Sequence, residues 1–224
     1  MKIVILARES SERFPRKHLA IIGGETLLGG MVKRLLQYSD VILATGPRKH
    51  NAEIARVAAE AGADIYCEEG LPEWDVWGRI DNMARIHNLS YWLHYSGDCP
   101  FIDLRLLQPV WDELKKGFAD TVSPEPTING IEGRSLSGIT LEHWAWLGQQ
   151  LRPDDPRREY PWCMGPGTTA EVPVPWPREK TRFKTSIDHP FEAAIADKIV
   201  RHLGRWPKTD EDIMRAYAEI KHID

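Results

Sequence analysis

Short apolar runs alternate with longer amphipathic stretches through the first half of the chain. Residues 2–6 (KIVIL) and 41–44 (VILA) are brief, rich in β-branched residues and leucine, and closed by turn residues. That is the pattern of strands buried on both faces of a parallel sheet. Between them, residues 26–38 place Leu27, Leu28, Met31, Leu35 and Leu36 at helical spacing, so one stripe faces a core. The alternation continues with an alanine-rich helix over 51–61, C-capped by Gly62, and a strand over 63–67. A helix over 74–87, a strand over 91–95, a helix over 103–116 and a strand beginning at 120–123 follow. Repeated βαβ units predict an α/β domain with a mostly parallel central sheet, flanking helices and right-handed crossovers.

The pattern loosens after residue 123. The stretch PEPTINGIEGRSLSG carries turn residues between alternating ones, which predicts a hairpin or irregular excursion over about 124–142. A helix returns over 140–151. Residues 152–167 are polar and punctuated by proline, as in a loop with a helical turn. Prolines 173, 175 and 177 exclude a central strand in EVPVPWP and leave an edge or extended segment. FKTSIDHP predicts a short strand, and helices are expected over 191–203 and 210–220. No internal repeat or linker divides the chain, so the expectation is one domain over 1–224.

Composition narrows the function classes. The 224 residues carry 29 Lys and Arg against 33 Asp and Glu, a net charge of −4. Mild acidity argues against a broad nucleic-acid or membrane-surface role, so any bound anion must be met by a local basic cluster. Cys67, Cys99 and Cys163 are odd in number and far apart, unlike a disulfide framework or a zinc site. Nothing approaches the roughly 20 apolar residues of a membrane span. A soluble, cytoplasmic protein is expected.

Ligands of parallel sheets sit at the carboxyl ends of the strands, and two motifs fall there. ARESSERFPRKHL follows the first strand with Arg8, Ser11, Arg13 and Lys17. Two guanidinium groups, a hydroxyl and an ammonium can embrace a polyphosphate; equally, Glu9 and Glu12 dilute the charge as in a solvated surface loop. The chain has no GxxxxGK[ST] phosphate loop. Asp98, in HYSGDCP after the fourth strand, is placed either to hold a divalent cation or to serve as a turn or N-cap residue. Asp103 reads as the cap of the next helix, and Asp188 in TSIDHP resembles Asp98 in its position at a strand end. His94 and His189 lie near these aspartates with no catalytic role assigned.

Together these residues resemble the cytidylyltransferases that activate acidic sugars, the group containing CMP-Kdo and CMP-sialic acid synthetases, and within it the spore coat polysaccharide biosynthesis protein F (SpsF) branch. In that branch's opening pattern A-R-x-x-S-x-R-x-P-x-K-x-L, the fixed places are filled by Ala7, Arg8, Ser11, Arg13, Pro15, Lys17 and Leu19. SGDCPFID is similar to T-G-D-C-P-L-I-D, and CEEGLPEWDVWGRI to G-x-x-x-D-V-x-x-R, with Asp75 and Arg79 in place. The chain departs from the family in TGPRK, where relatives carry Thr-Asp, and in IDHPFE, which lacks the final Asp of I-D-x-P-E-D. Glu132 is the counterpart suggested for a later glutamate.

The resemblance implies a nucleotide-diphospho-sugar transferase (GT-A-like) fold and Mg²⁺-dependent transfer of CMP from CTP to a sugar or sugar acid. Pyrophosphate is released, in surface polysaccharide or glycoconjugate precursor synthesis. By the match, Arg8, Ser11, Arg13, Lys17 and Arg79 bind the nucleotide, Arg13, Lys17 and Asp98 are catalytic, and Asp98 with Asp188 holds the metal. It also implies a homodimer with its contact in the 124–142 segment. Arg134, Arg157, Arg158 and Lys184 are candidate cations for an acidic acceptor. The competing readings are a GT-A-type glycosyltransferase with a nucleotide-sugar donor and a non-catalytic nucleotide-binding pathway protein.

Overall fold

The computed structural model describes residues 1–124, 136–159, 167–173 and 184–220. In chain order it forms β1 (Lys2–Leu6), the short pair β2 (Ile21–Ile22) and β3 (Glu25–Thr26), α1 (Leu27–Leu35), β4 (Asp40–Thr45), α2 (Arg48–Glu60) and β5 (Asp64–Cys67). Then come α3 (Val76–Ile86), β6 (Tyr91–Ser96), α4 (Leu107–Lys115), β7 (Thr121–Pro124), β8 (Leu136–Thr140), α5 (Leu141–Gln149), β9 (Thr169–Val172), α6 (Pro190–Leu203) and α7 (Asp210–Ile220). Side chains set several of the boundaries. Thr26, Asp75 and Thr140 each accept a hydrogen bond from a first-turn N–H, at Gly29, Gly78 and His143, which satisfies one orphan donor of the helix start.

The main sheet runs in the order β5-β4-β1-β6-β8-β7-β9. The pairs β5–β4, β4–β1 and β1–β6 are parallel, β8 runs antiparallel to both β6 and β7, and β9 is parallel to β7. The α/β class with a mostly parallel sheet is therefore the observed one. Alternate strand residues feed two cores: Ile3, Ile5, Leu43 and Leu93 point toward α1, α4, α6 and α7, whereas Val4, Ile42, Ala44 and Trp92 point toward α3 and α5. Burial on both faces is why the parallel strands read as continuous apolar runs.

Two local expectations change. FKTSIDHP forms no strand among its described residues, 184–190; instead the Ile187 N–H donates to the Asp98 carbonyl at 2.8 Å, tying this connection to the end of β6. Residues 136–140 form a full strand of the central sheet where only an excursion was expected, while 125–135, with Glu132 and Arg134, lie outside the described residues. Cys163 also lies outside them. No helix among the described residues is long and apolar enough to cross a membrane.

Register places the site. Leu6 pairs with Ser96 across β1 and β6, so Ala7-Arg8 and Gly97-Asp98 leave the sheet side by side. The Gly97 N–H extends the ladder by donating to the Leu6 carbonyl at 2.8 Å. A side chain at Gly97 has no room: its Cβ would lie 2.5 Å from the Leu6 carbonyl oxygen and 2.9 Å from the Ala7 Cβ. The glycine of SGDCP is thus required by the close approach of two strand ends.

Candidate active site

A cleft opens where β1 and β6 end, walled by Arg8, Arg13 and Lys17 on one side and by His94, Ser96 and Asp98 on the other. The loop after β1 turns through Arg16, which takes left-handed backbone angles (φ 57°, ψ 27°), into a short 3-10 turn over Lys17–Leu19. That turn buries Lys17 and His18. The Lys17 ammonium donates to Asp98 Oδ2 at 2.6 Å and lies 3.5 Å from Asp188 Oδ1. The Arg13 guanidinium donates to Asp188 Oδ1 at 2.8 Å, and Lys184 Nζ to Asp188 Oδ2 at 2.7 Å. Two carboxylates separated by 90 positions in the chain thus converge on one ammonium.

The supports of these groups come from several elements. Arg34 of α1, itself buried, donates to the carbonyls of Pro100, at 2.6 Å, and Ile102, and so holds the segment after Asp98. The Ser96 hydroxyl donates to Asp98 Oδ1 at 2.6 Å. Burial pushes the Asp98 carboxyl up, but the Lys17 ammonium and the Ser96 hydroxyl outweigh it and hold the group below the usual carboxylate range. Burial likewise opposes ionisation of Asp188, and Lys184, Lys17 and Arg13 overcome it. Both groups are anionic near neutral pH.

Arg8 and Arg79 complete the cationic wall. Arg8 donates to Glu159 Oε1 at 3.0 Å. Arg79 on α3 is almost wholly buried, binds the Glu73 carbonyl through one terminal nitrogen, and has no partner for Nε among the described residues. A buried guanidinium facing a cleft with donors to spare is a ready anion contact. The Ser11 hydroxyl accepts from the Phe14 N–H at 3.4 Å and also lines the cleft.

Of the four cations considered for an acidic acceptor, Lys184 reaches this cluster. Arg157 is exposed and closes onto Asp155. Arg158 is not a surface residue: it is buried, holds Asp75 through two hydrogen bonds of 2.9 and 2.6 Å, and lies over the Trp77 ring at 4.6 Å. Arg134 falls outside the described residues. Asp103 is the N-cap expected of it, accepting from the Arg105 N–H. Sequence reasoning passed over Glu159, Lys184 as a partner of Asp188, and the buried His18; nothing local in the sequence signals their long-range contacts.

His18 and His94 are buried at the floor of the cleft, and burial depresses both to about 4. His18 is neutral at pH 7 and donates from Nδ1 to the Arg8 carbonyl at 2.9 Å, fixing its tautomer. An unfolded histidine titrates near 6.5, so the unfolded chain binds more protons between those values. The stability that neutral burial provides is full above about pH 6.5 and is lost as pH falls toward 4. We expect a loss of about 2 kcal/mol per histidine at pH 4.5. Urea midpoints followed from pH 7 to 4.5 should fall steeply in the wild type and less in a His18→Gln/His94→Gln variant; equal slopes would show that other groups drive the acid loss.

The profile of the family described as Cytidylyltransferase matches residues 2–135. The 3-deoxy-manno-octulosonate cytidylyltransferase of Rickettsia bellii (strain OSU 85-389) is 28% identical over 147 residues, covering 62% of this chain and 57% of the relative. The protein of the same name from Rickettsia rickettsii is 26% identical over 147 residues, covering 63% and 59%. The chain thus spans a little over half the length of the curated relatives it matches. Among solved structures, a cytidylyltransferase from Leptospira borgpetersenii aligns with a TM-score of 0.81 at 20% identity, covering 99% of this chain and 94% of the other. A CMP:2-keto-3-deoxy-manno-octonic acid synthetase complexed with CTP aligns at 0.59 and 15% identity, covering 87% and 97%. At these identities the structures establish the fold alone, which this chain shares with both.

Proposed function

We propose, from the premise that this chain belongs to the cytidylyltransferase family, that it joins CMP from CTP to a sugar or sugar acid and releases pyrophosphate. The observation that carries the reading is the array across the cleft, in which Lys17 and Arg13 meet Asp98 and Asp188 at 2.6 and 2.8 Å. The names of the curated relatives, which specify an acidic sugar, support a sugar acid as acceptor. Lys184, the candidate cation that reaches the cluster, suits such a substrate.

In the reaction an acceptor hydroxyl oxygen attacks the α-phosphorus of CTP, its proton passing to water, while the bond from that phosphorus to the bridging oxygen breaks. Pyrophosphate leaves with the electron pair. Arg13 and Lys17 face the position where that charge accumulates, and fixed cations there are worth most in the transition state. Arg8, Ser11 and Arg79 bind the remainder of the nucleotide. Neither Asp98 nor Asp188 is raised toward neutrality, and His18 and His94 lie near 4. These four groups therefore supply no strong general base, and catalysis rests on alignment and charge neutralisation.

The cleft is close to charge balance before any ligand enters. Arg8, Arg13, Lys17 and Arg79 face Glu12, Asp98 and Glu159 along its walls, with Asp188 beside them. A triphosphate therefore needs an added cation. Asp98 and Asp188 fit Mg²⁺, because hard oxygen donors from two elements already converge on one positive centre. Among the described residues no group of three or more His, Cys, Asp or Glu forms a metal cage, which suits an ion that takes its other ligands from phosphates and water. Bound there, Mg²⁺ would neutralise phosphate charge and lower the pKa of the attacking hydroxyl.

Pyrophosphate release measured over four NTPs crossed with acidic sugars and simple polyols tests the proposal. Release is expected with CTP and an acidic sugar, and only with a divalent cation present. Stabilisation by a UDP-sugar with no release from any NTP would replace the reading with a glycosyltransferase.

A further inference from the structure

The loop carrying Arg8, Ser11, Arg13 and Lys17 has no regular structure between β1 and Lys17, and the Arg13 side chain is 63% exposed. Its geometry must be held from outside, and Glu9 is the residue that holds it. The Glu9 N–H donates to Asn51 Oδ1 at 2.9 Å. Its carbonyl accepts the N–H groups of Ser11 and Arg16 at 3.0 and 3.1 Å, closing the loop on itself. Its carboxylate oxygen Oε1 accepts the N–H groups of Glu53 and Ile54 at 2.9 and 3.2 Å.

Those last two donors belong to α2, which breaks at Asn51 (φ −132°, ψ 25°) and resumes after it. The resumed helix has orphan N–H groups, and Glu9 caps them from another part of the chain, where a carboxylate also complements the helix dipole. Asn51 is fully buried, and its Nδ2 donates to the Pro47 carbonyl and to Glu73 Oε1, both at 3.1 Å. The other Glu73 oxygen accepts the Ser10 hydroxyl at 2.7 Å. A Cβ on Gly46 would lie 3.0 Å from Glu73 Cγ and 3.3 Å from Asn51 Nδ2, so Gly46 leaves space for this knot. The TGPRK stretch, which departs from the resembled family, thus leads directly into it.

We propose that Glu9 and Asn51 are positioning residues that preset the loop for the triphosphate through a reciprocal clamp, the loop capping the broken helix and the break anchoring the loop. The proposal rests on the reading of the loop as nucleotide-binding. A preset loop avoids the ordering cost that a free loop incurs on binding. Isothermal titration of Mg²⁺-CTP should show Glu9→Ala binding about tenfold more weakly than the wild type at a temperature where circular dichroism shows it folded. Glu9→Gln keeps the acceptor oxygen and should stay within about twofold. Asn51→Ala should lose as much as Glu9→Ala, and the double variant little more, since both break one clamp.

Glu9→Asp keeps the charge but shortens the reach, and it decides the matter by its own loss of affinity should Glu9→Ala fail to fold. Wild-type affinity in a folded Glu9→Ala or Glu9→Asp, or equal losses in Glu9→Gln and Glu9→Ala, would overturn the clamp while leaving the nucleotide reading intact. No binding of Mg²⁺-CTP by the wild type would overturn both.

Discussion

Asp98→Asn should lower CTP-dependent pyrophosphate release by about 100-fold or more, a loss of about 3 kcal/mol of transition-state stabilisation. The substitution keeps the shape of the side chain and an oxygen able to accept from Lys17 or Ser96, which now meet Asp98 at 2.6 Å each. What it removes is the negative charge. In the proposed mechanism that charge is one of two carboxylates available to a divalent cation, and it also aligns the Lys17 ammonium. Because one of the two hydrogen bonds survives and Asp188, 3.5 Å from the Lys17 ammonium, remains as its counter-charge, the circular dichroism spectrum should change little. Turnover within a few-fold of wild type would remove Asp98 from the reaction, and with it the assignment of Asp188 as the second carboxylate.

Asp75→Ala should cost about 3–5 kcal/mol of folding stability, the usual penalty for stranding one partner of a buried ion pair. The Asp75 and Arg158 side chains are 4% and 10% exposed. Asp75 accepts two hydrogen bonds from Arg158 and caps α3 through the Gly78 N–H at 2.9 Å. Removing the carboxylate leaves a guanidinium sandwiched against Trp77 with no counter-charge, and uncaps the helix that carries Arg79. Asp75→Asn, which retains the cap and the shape, should fall between the two. Urea denaturation measures all three, and an Asp75→Ala variant within about 1 kcal/mol of wild type would show that water or a rearranged partner replaces the pair. The neighbour of Arg158 is Glu159, the partner of Arg8, so this buried pair also anchors the far wall of the cleft.

Much of the frame was legible from the order of apolar and polar residues. The runs at 2–6, 41–44, 63–67 and 91–95 match β1, β4, β5 and β6 to within a residue or two at their ends, and the helices over 26–38, 51–61, 74–87, 191–203 and 210–220 all exist. Those segments declare themselves because burial on one stripe or on both faces must be written into the local pattern. β8 did not declare itself. LSGIT is short and contains a glycine, and its place between β6 and β7 depends on β6 partners 41 to 49 positions earlier, such as Tyr95 opposite Leu136.

The candidate site divides the same way. The strand-end location of Arg8 and Asp98 follows from the alternation alone, since a parallel sheet presents its loops at one edge. The partnership of each charge does not. Glu9 read as a diluting surface charge and is the hub of the loop; Arg158 read as a candidate cation for the acceptor and is buried on Asp75; Lys17, of a type normally exposed, is almost enclosed between two aspartates. By itself the sequence determined which segments bury their faces and at which sheet edge the charged motifs emerge. Only the tertiary structure decided which charge meets which. The first is a local requirement of the hydrophobic effect, repeated every two to four residues, whereas ion pairing depends on distances between segments that no local period encodes.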